Sequence, residues 1–383
     1  MQSSDRQVAN TAASPLLGRI PVLDGWRGLA ILMVCVSHLC EPTRFHSLLF
    51  RLSLLGVDIF FVLSGYVITR SLLAEREKTG TLNLAAFYRR RAFRILPAAM
   101  TFLVIVAILN QFMDLGGLSP QSFVASALFF RNYWASFHPA DVYTNHFWSL
   151  SIEEQFYFFW PALLLFLGNR RAVWFAAALS AAFASWRLYT YTHFTHIAGT
   201  NLKFWMMRTE FRLDGLLIGC LLALLLAKSK VREFIRRKFP KETPWFCAFP
   251  LLLNYQRSHA NPTLTTYLLI AIAIASTLAA EEGLAHILLT NRAFIWLGTI
   301  SFSLYLWQQL FLESPFENSS PFGRWGVLPL NAVTALAAAV ASYYLVERPM
   351  IAWGRKTTRS HWKHKNVECA TPQLGDIGTP SKI

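Results

Sequence analysis

Nine apolar runs, each long enough to cross a bilayer as a helix, are strung along this chain: 22–40, 52–73, 95–113, 147–168, 172–189, 208–227, 264–280, 294–312 and 327–346. A weaker run lies at 244–254, and another, 121–137, carries Arg131 and Asn132 in its middle. A chain built this way has too much continuous apolar length for a soluble domain. Composition agrees: of 383 residues, 54% are hydrophobic and only 15% charged, where soluble domains average about 25% charged. Mean hydropathy is +0.36, which also excludes a disordered chain. The expected fold is all-α, a polytopic membrane bundle of about ten transmembrane helices.

The placement of Lys and Arg orients that bundle. If 244–254 spans and 121–137 does not, ten crossings result. With the N-terminus inside, the inner segments hold 24 Lys/Arg and the outer loops 6. The positive-inside rule favours this arrangement strongly. Making 121–137 a span would put the basic loop 228–243 outside, so 121–137 is expected to be re-entrant or interfacial. Both termini are then cytoplasmic. The same placement accounts for the net charge of +15: the clusters face anionic lipid, and no nucleic-acid surface is expected. The five cysteines form no C-x-x-C pair, so neither a disulfide frame nor a zinc site is expected. The first 20 residues contain no apolar core of a cleavable leader. The expected organisation is a cytoplasmic segment 1–21, a membrane domain 22–350 and a cytoplasmic tail 351–383, disordered after about 365.

Ionisable residues inside hydrocarbon are costly and mark function by default. Here they sort into two layers by helix rise. Arg27 lies near the inner edge of the first span, and His38, eleven residues on, lies roughly 16 Å further outward. Asp58, Glu153 and Glu154 fall about 9–10 Å below the outer edge of their spans. Asp214 and Gln308 come out in the outer half too. Arg91 and Arg94 open the third span at the inner edge, with Pro97 expected in that span's first turns. A carboxylate beside a histidine suits general-base chemistry. Arginines at the cytoplasmic mouth suit a phosphorylated ligand. Together they describe a membrane enzyme that takes a phosphate-bearing donor from inside and works facing outward.

Five segments carry a resemblance: 23-LDGWRGLAILMVCVSH-38, 56-GVDIFFVLSGYVITR-70, 89-RRRAFRILP-97, 146-HFWSLSIEEQFYFFWP-161 and 299-TISFSLYLWQQ-309. Span 208-RTEFRLDGLLIGCLLA-223 and 343-YYLVERP-349 fit as well. In this order the chain resembles the acyltransferase 3 family, integral-membrane O-acyltransferases of bacterial surface polysaccharides and related acceptors. The resemblance implies a ten-helix bundle with cytoplasmic termini in a bacterial inner membrane. It implies acyl-CoA, usually acetyl-CoA, as co-substrate without a metal. It implies His38 as the catalytic histidine, and Arg27, Arg91 and Arg94 as donor-binding. The family's late aromatic motif commonly ends in histidine where this chain has Gln308. Gln308 cannot titrate, but it can donate and accept hydrogen bonds.

Each residue also has a plainer reading. His38 suits an interfacial helix end, and Glu41 can orient it or begin a loop. Asp24 and Arg27, three apart, can pair along one helix. Arg89, Arg90 and Arg91 are topogenic on priors, with Arg91 and Arg94 sharing a face. Glu153 and Glu154 point about 100° apart, so at most one meets His38; Asp58 is the other acid offered to it. Trp148 and Tyr157 are offered as sugar-stacking rings at the outer mouth, Asp214 and Gln308 as further acceptor contacts. Gly56, Gly65 and Gly219 are close-packing positions. No G-x-S-x-G elbow supports a serine nucleophile. The expected reaction moves an acyl group from acyl-CoA to a hydroxyl of a glycan or glycolipid, with His38 as general base or acyl carrier. The competing class is a proton-coupled transporter or flippase, against which no internal repeat is found. Nothing in the sequence fixes the oligomeric state.

Overall fold

A computed structural model describes residues 18–39, 46–113, 115, 118–137, 142–194, 207–257, 262–280, 282–312 and 322–357. The described chain is helical and contains no strand. Glu41 and the tail beyond 357 lie outside the described residues.

The helices are α1 (Pro21–Leu39), α2 (His46–Thr79), α3 (Leu84–Met113), α4 (Pro120–Ala127), α5 (Arg131–Phe137) and α6 (Phe147–Phe194). They continue as α7 (Leu213–Leu226), α8 (Ser229–Lys238), α9 (Thr243–Arg257), α10 (Leu264–Ala279), α11 (Leu284–Leu289), α12 (Arg292–Leu312) and α13 (Leu330–Thr357). Segments Phe50–Thr79, Leu84–Met113, Phe147–Phe194 and Leu330–Thr357 are long and apolar enough to cross a membrane. α7 and α10 are shorter apolar helices. Large apolar side chains face outward, among them Phe166 at 86% exposure and Trp174 at 73%. Their natural surroundings are acyl chains, and the protein is an integral membrane protein.

Three boundaries differ from the sequence reading. Runs 147–168 and 172–189 belong to one helical stretch, divided at Gly168, whose φ of 68° breaks the helix into two legs. Span 208–227 is helical only from Leu213. Its polar start is a 3₁₀ turn, Thr209–Phe211, with Arg208 paired to Glu210 at 2.7 Å. α3 begins at Leu84, well before the expected span at 95, so Pro97 sits inside the helix and not in its first turns. Proline there leaves the carbonyl of Phe93 without its helical donor. Apolar length cannot reveal such an entry, because the preceding turns of α3 carry Arg89, Arg90, Arg91 and Arg94.

Segment 121–137 forms α4 and α5, of 8 and 7 residues, neither long enough to span. Phe129, at φ 52°, turns the chain between them. Arg131 and Asn132 are fully buried. The Arg131 backbone N–H donates to Ser151 Oγ at 3.2 Å and its side-chain Nε to Thr144 Oγ1, just before α6, at 3.4 Å, while Gln155 Nε2 donates to Asn132 Oδ1 at 3.1 Å. The two polar residues thus face α6, not lipid.

Glycines let the central helices touch. A Cβ on Gly65 or Gly219 would overlap the backbone of the partner helix, at Leu216 and Val62 respectively. Gly28 and Gly298 bring α1 equally close to α12, and Gly25 brings it close to the end of α11. Apolar clusters then fill both sides of α2.

Candidate functional site: an arginine cleft and two nearby histidines

α1, α2, α3, α6 and α12 enclose a cleft of about 780 Å³, open mouth included. Arg27, Arg91 and Arg94 all line it, with Ser64, Ser149, Glu153, Tyr157, Ser301 and Tyr305. The three arginines come from two helices, and Arg91 and Arg94 share a side of α3 because they lie three apart. Arg27 Nε donates to Ser301 Oγ at 3.2 Å. The Arg91 guanidinium lies over the Tyr157 ring, 3.7 Å from its centroid, and Arg91 Nε is 4.0 Å from Glu154 Oε1. Three like charges facing one space repel each other unless acids or a bound anion balance them.

Three acids, Glu153, Glu154 and Glu347, stand near them. The Tyr157 hydroxyl donates to Glu153 Oε2 at 2.6 Å and Ser64 Oγ to Glu153 Oε1 at 3.1 Å. Glu347 accepts from Ser303 Oγ at 2.8 Å and stands within electrostatic reach of Arg94 and Arg27. It sits in a π-helical turn, Tyr343–Glu347, of α13; such turns often aim a side chain at a site. The carboxylates of Glu153 and Glu154 therefore lie beside the arginines. The sequence reading set them in a separate outer layer, because it started the third span at 95 and underestimated how far Arg91 and Arg94 reach along α3.

His38 ends α1 on the face of Arg27. Eleven residues are close to three turns, which leaves the two side chains roughly 20° apart around the axis. Ile31 and Val34, both buried, lie between them on that face. Asp24 pairs with Arg19 at 2.5 Å, so the intrahelical partner offered for Arg27 is engaged elsewhere. His38 is partly buried and lies in electrostatic range of His146, the residue before α6; neither histidine is itself among the residues lining the cleft.

Two residues offered for chemistry stand apart. Both oxygens of Asp214 accept from Arg187, at 2.8 and 2.7 Å. Asp58 accepts from Arg212 Nη1 at 3.1 Å and from the Tyr267 hydroxyl at 3.1 Å. All four charges are buried. Asp58 and Asp214 do not line the cleft; with Arg187 and Arg212 they make a neutral cluster joining α2, α6, α7 and α10. Trp148 belongs to it too, its ring 5.5 Å from the Arg212 guanidinium carbon. Trp148 and Tyr157 are both buried, so neither is the open outer-mouth ring expected for stacking on a sugar; Tyr157 lies under Arg91. Gln308 is buried, donates to Gln309 Oε1 at 3.2 Å and leaves its own Oε1 without a hydrogen-bond partner among the described residues.

Sequence reasoning missed His146, Arg187 and Glu347. His146 opens one of the quoted segments, but it sits at the edge of an apolar run, where a histidine is unremarked. Arg187 was a signal in plain view, a charge within run 172–189. Glu347 follows the last run and read as the start of the polar tail.

Comparison with known proteins meets this geometry. The acyltransferase 3 family model, described as an acyltransferase domain, matches residues 20–347. The chain is 28% identical over 358 residues to peptidoglycan O-acetyltransferase OatA of Listeria monocytogenes, covering 86% of this chain and 56% of that one. It is 30% identical over 381 residues to the putative peptidoglycan O-acetyltransferase YrhL of Bacillus subtilis, covering 93% and 58%. It is 28% identical over 364 residues to O-acetyltransferase OatA of Staphylococcus aureus, covering 86% and 57%. The chain thus spans 56% to 58% of the length of these relatives. No solved structure matches. A family match that runs from the start of α1 to the π turn of α13, through every helix that lines the cleft, shows that the chain belongs to the acyltransferase 3 family.

Proposed function

We propose that the protein is a membrane O-acetyltransferase: it takes an acetyl group from acetyl-CoA and transfers it to a hydroxyl of a glycan at the outer face of the membrane. The observation that carries this reading is the convergence of Arg27, Arg91 and Arg94 on one cleft, on the α1 face that ends at His38. Planar guanidinium groups hold phosphate oxygens in pairs, and coenzyme A offers three phosphates. The printed names of the relatives, peptidoglycan O-acetyltransferases, support acetyl as the group and a cell-wall glycan as the acceptor. The charge bias sets the arginine end toward the cytoplasm, where acyl-CoA is made. Ten legs cross in this reading: α1, α2, α3, the two legs of α6, α7, α9, α10, α12 and α13.

His38 acts as the base. Its imidazole takes the proton of the acceptor hydroxyl as that oxygen bonds to the thioester carbonyl carbon. The carbon–sulfur bond then breaks, and the imidazolium returns its proton to the departing thiolate. The other route open to His38 is to accept the acyl group itself and pass it on, with the same balance over two steps. Glu153 and Glu154 hold Tyr157 and Arg91 in place. Asp58 and Asp214 serve as scaffold through their arginines. Gln308, with its free carbonyl oxygen, contacts the acceptor. The cleft supplies position and a water-poor setting, in which fixed charges act strongly.

The test is release of free CoA thiol from acetyl-CoA by purified protein, with and without glycan fragments. Acceptor-stimulated release in wild type, reduced to background in a folded His38→Ala variant, is the expected result. Equal release by His38→Ala would remove His38 from the chemistry, and a wild type that neither binds nor consumes acetyl-CoA would return the protein to the transporter class.

A further inference from the structure

His146 is buried, with 4% of its surface exposed, and neither Nδ1 nor Nε2 has a hydrogen-bond partner among the described residues. A buried polar atom left unpaired costs about 1–3 kcal/mol, and folded proteins keep few of them. Here two fall on one ring.

The ring is held firmly. Aromatic neighbours surround it edge-on: Phe147 with centroids 4.9 Å apart, Phe102 at 5.2 Å and Tyr305 at 5.6 Å. The backbone is fixed as well, since the carbonyl of His146 accepts from Tyr305 Oη at 3.2 Å and from Ser149 Oγ at 3.3 Å. Tyr305 and Ser149 are themselves cleft-lining residues, so the His146 backbone is tied to the cleft wall, with its ring one layer behind the lining. The charged groups that reach it from neighbouring elements are His38 of α1 and Arg131 of α5. Both are positive when charged, and among the described residues no acid is set against the ring. Burial without a counter-ion favours the uncharged form. An uncharged imidazole has one N–H to donate and one nitrogen to accept.

We propose that His146 is a second catalytic residue of acyl transfer, donating its ring N–H to the thioester carbonyl oxygen as negative charge gathers there. This rests on the reading of His38 as base and acyl-CoA as donor. When the acceptor oxygen bonds to the carbonyl carbon, the carbonyl electron pair moves onto oxygen, and the His146 N–H stabilises it. The pair returns as the carbon–sulfur bond breaks, and the proton taken by His38 goes to the thiolate. His146 itself gains and loses nothing. Its ring is then a donor held ready in an aromatic cage, where such a contact requires no reorganisation.

The experiment compares His146→Ala, His146→Gln and His146→Phe with wild type for acceptor-dependent CoA release, each checked for a thermal transition in detergent. Removing one such donor lowers turnover about 10²–10³-fold, so His146→Ala and His146→Phe should both lose kcat by that order. The acetyl-CoA KM should stay within about threefold, because the contact forms in the transition state and not in the ground state. His146→Gln, which keeps an N–H, should recover part of kcat. A purely structural ring predicts the reverse order: His146→Phe fills the cage and would restore activity, and that result overturns the proposal. So does a folded His146→Ala with wild-type kcat. Failure of the underlying reading looks different, because wild type itself would then release no thiol.

Discussion

Arg187 and Asp214 show how a single pair of residues can be mistaken for chemistry. An acid at that depth reads as functional from sequence, because its partner comes from a helix leg 27 residues away. Once Arg187 is seen with two bonds to Asp214, 2.8 and 2.7 Å long, the acid is spoken for. Removing one member of a buried pair leaves the other charged and unpaired, which costs about 3–5 kcal/mol. Asp214→Asn should therefore lower the thermal transition in detergent by several degrees. The double variant Arg187→Met with Asp214→Leu should recover most of the loss. An unchanged transition in Asp214→Asn would place Asp214 outside the scaffold and return it to the acceptor. Arg27, Arg91 and Arg94 are the opposite case. Their common side was legible from helix rise and the three-residue spacing, whereas Glu347 was not, since a π turn changes which way residues after Tyr343 point.

At the scale of elements, the apolar runs located the helices well and their ends poorly. The runs report where hydrocarbon is tolerated. They are silent where a helix carries charge through its first turns, as α3 does from Leu84 to Arg94. Segment 121–137 was placed by charge bias alone, and its two short helices follow from Arg131 and Asn132, whose polar groups bond to Ser151 and Gln155. The contact of α2 with α7 rests on Gly65 and Gly219, where the backbone of one helix occupies the space a side chain would need on the other. Small residues at such crossings replace the hydrophobic driving force that membrane helices lack between themselves. Gly219→Val should separate the helices and destabilise the protein by more than about 1 kcal/mol, read as a lower transition and weaker retention of activity after heating. A variant as stable as wild type would show that the two backbones are not pressed together.

Across the whole molecule, charge is arranged by use. The Asp58, Arg212, Arg187 and Asp214 cluster is neutral and ties four helices together. The Arg27, Arg91 and Arg94 cleft is an open space, with Glu153, Glu154 and Glu347 nearby, and is the donor site in the proposed function. From sequence Asp58 and Asp214 looked like part of an outer layer of the same site as the arginines; in the structure they lie outside the arginine cleft. The direct measurement of this division is equilibrium binding of CoA to purified protein at low and moderate salt, comparing wild type, His38→Ala and Arg94→Gln. If the arginine cleft holds the donor and His38 acts only on the acyl end, His38→Ala binds CoA as wild type does, while Arg94→Gln binds at least about tenfold more weakly, by the 1.5–3 kcal/mol of a hydrogen bond to a charged group. Unchanged affinity in Arg94→Gln would contradict the account.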